Sequence, residues 1–157
     1  MIALSLNKMW RDWLGCVFKG LKRNDMTEID LEQEKTQWGD KLTAEQFSIC
    51  RLKSTEAPFT GKYNDCKTVG IYHCICCDNP LFDSETKYDS GSGWPSFWLD
   101  LPGSSVDEHV DNTYGMRRVE VTCKVCQAHL GHVFEDGPAP TGLRYCINSA
   151  ALNLKEK

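Results

Sequence analysis

No apolar run in this chain approaches the roughly 20 residues that a membrane-spanning helix needs, so the sequence offers no candidate span. A convincing secretory signal peptide is also missing, and there is no internal repeat beyond two short cysteine turns. Basic excess is lacking too, since the formal net charge is −4. The charge is unevenly spread. Residues 1–24 hold Lys8, Arg11, Lys19, Lys22 and Arg23 against Asp12 alone, a net of +4, which leaves −8 for the remainder. An acidic body argues against a surface for nucleic-acid phosphates, so no nucleic acid is expected as a partner.

Cysteine, by contrast, is abundant: nine in 157 residues. The odd count and the missing leader argue against a secreted disulfide scaffold. Paired spacings favour metal in a reducing compartment. Cys74/Cys77 and Cys123/Cys126 are two Cys-x-x-Cys pairs, the spacing of a closed four-thiolate zinc site. They lie 45 residues apart, so one metal would clip together two distant parts of the chain. Four thiolates leave no open coordination position, which points to one structural Zn2+ per chain. Cys76 permits another register in the first pair, but Cys74/Cys77 matches the second pair, and Cys76 then reads as a small buried apolar residue.

The length suffices for one domain with a real core. Near the N-terminus, Leu6, Met9, Trp10, Trp13, Leu14, Val17 and Leu21 recur at helical spacing on a basic background. Such a segment is a solvated or docked extension, with a mitochondrial transit role as the alternative to a cytoplasmic protein. Residues 25–40 are polar and acid-rich and read as a lead-in, so we divide the chain into an extension, 1–35, and a domain, 36–157. Thr43-Ala44-Glu45-Gln46 has capping-box form and predicts a short helix. From Pro58 onward, closely spaced prolines and glycines separate short runs of β character such as Thr68–His73 and Arg118–Cys123. The expected class is mainly β: antiparallel sheets with a few short N-terminal helices and a four-cysteine zinc site.

If the zinc site takes four cysteines, Cys146 is the obvious nucleophile. As a strand, residues 143–149 place Arg144, Cys146 and Asn148 on one face. A cation beside a cysteine lowers its pKa, so Arg144 and Asn148 form an electrostatic and hydrogen-bonding surround. His129–Phe134, followed by the turn-rich stretch 135–142, predicts a hairpin against the Cys146 strand. Its register is open. Phe134 opposite Leu143 gives His129 the face of Cys146, a slip of one residue gives that place to His132, and a bulge at Gly131 presents both. Asp136 is a candidate to orient one imidazole. In Ser90–Trp98 the glycines let the backbone bend sharply and present Trp94 as an apolar wall suited to sulfur and methyl groups. Phe97 and Trp98 read as core.

Together these stretches resemble the methionine sulfoxide reductase B family. The carriers are Thr55–Gly61, Cys74-x-x-Cys77, Lys87–Phe97, Cys123-x-x-Cys126, and Gly131–Pro138 continuing through Thr141–Ser149. The match covers roughly residues 40–155 and leaves 1–35 outside. The resemblance implies that family's β fold and reduction of the R epimer of methionine sulfoxide, mainly in proteins. It implies attack by Cys146, and an acidic surround from His129 and His132 positioned by Asp136 and Asn148. Arg144 would stabilise the thiolate, and Trp94 would hold the substrate methyl with Phe134 nearby. It also implies structural zinc at Cys74, Cys77, Cys123 and Cys126.

One position departs from the family pattern. Many members carry the resolving cysteine two residues before the tryptophan, and here that residue is Ser92. Cys66 is the expected substitute, in a polar and exposed loop beside Lys67, ahead of Cys50 and Cys16. A Cys146–Cys66 disulfide implies thioredoxin as reductant. The expected protein is a monomer that acts on oxidised proteins. The rival is a non-enzymatic zinc-ribbon-like binding module, which uses the paired cysteines but leaves Cys146 and the histidines unexplained. A zinc hydrolase or deaminase is disfavoured by the filled metal site and by the spacing of His132 and Glu135.

Overall fold

The computed structural model describes residues 27–103 and 105–157. A boundary between Lys35 and Thr36 separates two units, and each is described by itself. The readings made for residues 1–24, including the amphipathic segment, its targeting role and Cys16, lie outside the described residues.

Where the sequence suggested only a polar lead-in, residues Glu28–Trp38 form a helix, α1. It has no apolar stripe to announce it. Its start is set by reciprocal bonds: Asp30 N donates to Thr27 Oγ1 at 3.2 Å, and Thr27 N donates to Asp30 Oδ2 at 3.1 Å. Glu28 and Asp30 in the first turn and Lys35 in the last suit the helix dipole. In the second unit, α2 (Ala44–Leu52) starts at the expected capping box, with Gln46 N donating to Thr43 Oγ1 and Gln46 Oε1 accepting from Thr43 N.

Among the described residues, nine strands follow in two antiparallel sheets. One has the order β2 (Pro80–Asp83), β1 (Gly70–Cys74), β9 (Leu152–Glu156). The other runs β3 (Lys87–Tyr88), β4 (Ser96–Phe97), β8 (Arg144–Ile147), β7 (His129–Phe134), β6 (Arg118–Cys123), β5 (Val106–Asp111). Directly opposed residues share a face, so register sorts the larger sheet. Phe97, Tyr145, Val133 and Val119 oppose one another in turn and form its apolar face. That face meets the smaller sheet through aromatic rings. Phe82 stacks on Phe97 at 4.5 Å, Tyr72 meets Phe97 edge-on at 5.1 Å, and Phe82 lies 5.6 Å from Tyr145. Aromatic pairs at these separations add to the burial of their area. Tyr72, Phe82 and Phe97 are fully buried.

The opposite face of the larger sheet is polar. Its central row takes one residue from each of six strands: Tyr88, Ser96, Cys146, His132, Glu120 and His109. An apolar face packed on a second layer and a polar face turned away from it is the usual economy of an antiparallel sheet. Here the polar face holds the candidate site residues Cys146 and His132.

Candidate active site and thiol cluster

The hairpin register is settled by Phe134 lying opposite Arg144, which puts His132 directly across from Cys146. A bulge does occur, one residue earlier than Gly131. Gly131 opposes Val121 while His129 opposes Thr122, so Leu130 is the extra residue. The bulge reverses the facing of His129 and brings its ring within 5.5 Å of the His132 ring. Asn148 pins it, because its backbone N–H and its Nδ2 both donate to the Leu130 carbonyl at 2.9 Å. Asn148 therefore lies beyond the end of β8 and acts on the bulge backbone rather than on an imidazole. Gly131 is obligatory here, since a Cβ would overlap the Cys146 carbonyl oxygen.

The expected pairing of Asp136 with an imidazole is not what the structure shows. Asp136 accepts a two-pronged bond from Arg144, Nε to Oδ1 at 2.8 Å and Nη2 to Oδ2 at 2.9 Å. The histidines are held instead by carboxylates from β5 and β6. His129 Nδ1 is 2.9 Å from Glu120 Oε1, and His132 Nε2 is 3.0 Å from Asp111 Oδ2. Glu120 also takes Lys53 Nζ at 2.7 Å. Asp111 takes Arg118 Nη2 at 2.8 Å and both the N–H and hydroxyl of Thr113. Sequence reasoning missed Glu120, Asp111 and Arg118. Only the alternation in Arg118–Cys123, which sets Arg118 and Glu120 on one face, could have hinted at them.

Cys146 lines a cleft of about 140 Å³ whose other walls include Trp94, His132, Phe134, Arg118 and Thr55. Arg144 lies over the Phe134 ring at 4.5 Å. Ser92 Oγ is 3.8 Å from Cys146 Sγ, at the head of a hydroxyl chain through Ser90 to the buried Ser96. Burial pushes the Cys146 thiol above its ordinary value, and the Ser92 hydroxyl and Arg144 guanidinium offset this only in part. The depressed pKa expected from Arg144 is thus outweighed by desolvation. Burial also lowers His132, with Asp111 working against it and Arg118 with it. Glu120 would be raised by burial, but His129 and Lys53 hold it down at about 2. Asp111 is likewise raised by burial and held well below the carboxylate range by Thr113, His132 and Arg118.

Cys66 is not among the cleft residues. Contrary to the exposed loop expected, it is half-buried and packed against the core. Its carbonyl accepts from Lys87 Nζ at 3.1 Å. Lys87 opposes Phe97, so it belongs to the apolar face of the sheet and not to the face of Cys146. Burial would raise this thiol, yet Thr68, Tyr72 and Lys87 bring it below its ordinary value. The cation that matters is Lys87, not the adjacent Lys67. Cys50 is buried in α2.

The four paired cysteines form a separate cluster with all sulfurs within 4.8 Å of one another. Each pair sits in the same turn. Cys74 N donates to Asn79 O and Asp78 N to Cys74 O, while Cys123 N donates to Ala128 O and Gln127 N to Cys123 O. Asp78 and Gln127 both take positive φ, at 63° and 58°. The sulfur separations of 3.7 Å for Cys74–Cys126 and 3.6 Å for Cys77–Cys123 fit sulfurs at tetrahedral corners about 2.3 Å from a zinc ion. The cluster can hold a metal ion. Cys76 is half-buried against the core, close to the role expected of it.

A half-buried cysteine facing a carboxylate-held imidazole, in a cleft walled by tryptophan and set on a two-sheet β fold, is an arrangement suited to thiol chemistry. Sequence comparison makes the class specific. Residues 42–156 match the SelR domain. The chain is 60% identical over 124 residues to the peptide methionine sulfoxide reductase MsrB of Pseudomonas savastanoi pv. phaseolicola, covering 79% of this chain and 95% of that one. It is 59% identical over 134 residues to the MsrB of Saccharophagus degradans, covering 85% and 97%. The chain belongs to the MsrB family of peptide methionine sulfoxide reductases.

Proposed function

We propose that this protein reduces the R epimer of methionine sulfoxide in oxidised proteins. The observation that carries the reading is the placement of Cys146 in the cleft, directly across from His132 and beside Trp94. Trp94 and Phe134 form an apolar wall for the substrate methyl, and sulfur makes favourable contacts with such rings. Cys146 attacks the sulfoxide sulfur as thiolate. The oxygen takes a proton from His132, which Asp111 orients, while Glu120 orients His129 beside it. The sulfoxide S–O bond and the new S–S bond break as the hydroxyl passes to the Cys146 sulfur; methionine departs as the two-electron-reduced thioether and Cys146, oxidised by two electrons, is left as a sulfenic acid. Arg144, held by Asp136, favours the thiolate and offsets part of its desolvation.

Cys66 then attacks the sulfenic sulfur. A Cys146–Cys66 disulfide forms and water leaves. Because Cys66 rests against Tyr72 and Thr68, this step needs the 62–69 loop to leave its seat. Thioredoxin reduces the disulfide by thiol exchange. The four-cysteine cluster holds zinc through Cys74, Cys77, Cys123 and Cys126, and the metal supplies a cross-link between the sheets rather than reaction chemistry. No helix among the described residues is long and apolar enough to cross a membrane. The thiol-rich composition suits a monomer working in the reducing cytoplasm.

The test is a single turnover without reductant. Reduced protein is mixed with excess methionine-R-sulfoxide, methionine is counted, and oxidised cysteines are mapped by peptide mass. One methionine per chain with a Cys146–Cys66 disulfide is expected. Methionine without that disulfide rejects Cys66 as the resolving residue. No methionine from either epimer, with folded and metal-loaded protein, rejects the reductase.

A further inference from the structure

The segment from Thr55 to Tyr63 is a strap that touches both walls of the cleft. Phe59 N donates to Gly93 O at 2.7 Å, and Tyr63 N donates to Ser149 Oγ at 3.1 Å. Glu56 lies at its centre and is 7% exposed. Its backbone carbonyl accepts the Trp94 indole Nε1 at 3.2 Å, and its own N–H donates to Asn148 Oδ1 at 3.1 Å. Its carboxylate accepts from Ser149 N at 2.6 Å and Ala150 N at 3.0 Å, in the turn that follows the Cys146 strand. Among the described residues no cation pairs with it. A buried carboxylate without a cation is costly unless both oxygens are hydrogen-bonded, and here both are. A Cβ on Gly61 would overlap the Ser149 hydroxyl and also come within 2.5 Å of Glu56 Oε1, so the carboxylate and Ser149 are packed closely against this glycine.

We propose that Glu56 is a positioning residue for the reaction: it ties the Trp94 indole and the end of the Cys146 strand to one rigid reference, and so sets the gap into which the substrate methyl fits. The proposal rests on the reading of Trp94 as the methyl wall. The backbone of Glu56 fixes the indole and the Asn148 amide. Its side chain fixes the turn immediately beyond Asn148. Displacing the carboxylate therefore moves Trp94 relative to Cys146 without touching the thiol, Arg144 or Ser92.

The test compares unaltered protein with Glu56→Gln and Gly61→Ala. The first presents an amide NH2 to a backbone N–H, and the second leaves Glu56 in place but crowds its carboxylate together with the Ser149 hydroxyl. Trp94 contacts the methyl before and during attack, so loss of its alignment weakens both states alike. Each folded variant is expected to raise KM for methionine-R-sulfoxide about fivefold, the weight of one orienting hydrogen bond, with kcat within about twofold. The pH dependence of Cys146 alkylation should stay in place, which general loosening of the fold would not allow. Unchanged KM in the folded variants, or a fall in kcat with a shifted alkylation profile at constant KM, overturns the proposal. The unaltered protein supplies a reading that needs no variant. The Trp94 indole N–H, assigned through Trp94→Phe, should exchange with solvent at least about tenfold more slowly than an exposed indole, and fast exchange overturns the proposal. Unaltered protein that makes no methionine would instead defeat the reductase reading itself.

Discussion

Replacing Asp111 by Asn should lower the plateau of the pH–rate profile and move its acid limb to lower pH. In the proposed reaction, attack requires Cys146 as thiolate and His132 as imidazolium. That pair carries the same number of protons as thiol with neutral imidazole, and the two forms interconvert freely. Desolvation raises the Cys146 thiol and lowers His132, so the reactive form is the minor one across the whole plateau. Its share is set by the gap between the two pKa values. The acid limb reports His132, and the basic limb reports Cys146. Asp111 narrows the gap by accepting from His132 Nε2 at 3.0 Å. Asparagine keeps the shape and removes the charge. His132 side-chain exposure is only 13%, so little water replaces what is lost. A hydrogen bond to a charged group is worth roughly 1.5–3 kcal/mol, so plateau kcat/KM should fall about 10- to 150-fold. The basic limb should not move. The assay is kcat/KM for methionine-R-sulfoxide from pH 5 to 10, with melting curves and metal content measured on the same samples. An unchanged plateau, or an acid limb that stays or moves upward in folded protein, would refute the role given to His132.

Three further outcomes follow from the same geometry. Ser92→Cys places a thiol where a hydroxyl now lies 3.8 Å from Cys146 Sγ, and the variant should form a 92–146 disulfide after one turnover, detectable by peptide mass, even with Cys66 replaced by Ser. Glu120 falls from an unfolded value of 4.5 to about 2, a contribution on the order of 3 kcal/mol that is present above pH ~4.5 and lost as pH falls toward ~2; Glu120→Gln should be less stable at neutral pH and flatter over that acid range by denaturant titration. Stripping metal from the four-cysteine cluster with a chelator should lower Tm by roughly 10 °C, taking the lost cross-link at ~3 kcal/mol, and re-addition of one zinc per chain should restore it.

The strands of the reactive hairpin were readable because their chemistry is local. His129–Phe134 and residues 143–149 show β character, and a turn-rich stretch joins them. Period-two reasoning stopped at the register, because a slip of one residue changes every facing and only the partner strands decide it. The bulge at Leu130 depends on Asn148, a residue 18 positions away. Glu120 and Asp111 reach the histidines across strand pairs, so no spacing within the reactive stretch points to them. Asp136, nearby in sequence, was the natural wrong choice: its turn faces Arg144 instead. Cys66 read as exposed because its neighbours Lys62, Asn64, Asp65 and Lys67 are polar, whereas its seat is made by Tyr72 and Lys87 from later strands. Helix α1 was missed for the opposite reason. Capping and charge set it locally, and it has none of the apolar periodicity that signals a helix.

The two equivalent cysteine turns belong to different sheets, one at the end of β1 and the other at the end of β6. Were zinc bound between them, as proposed, assembly of the protein would be tied to metal supply. A newly made chain can pair its local hairpins unaided, but the clasp that closes 45 intervening residues comes from outside. Closing so long a loop carries an entropic cost that a bound metal would help to offset. In a metal-starved cell the same number of chains would then yield fewer competent molecules, and repair capacity would follow the zinc pool as well as the rate of synthesis.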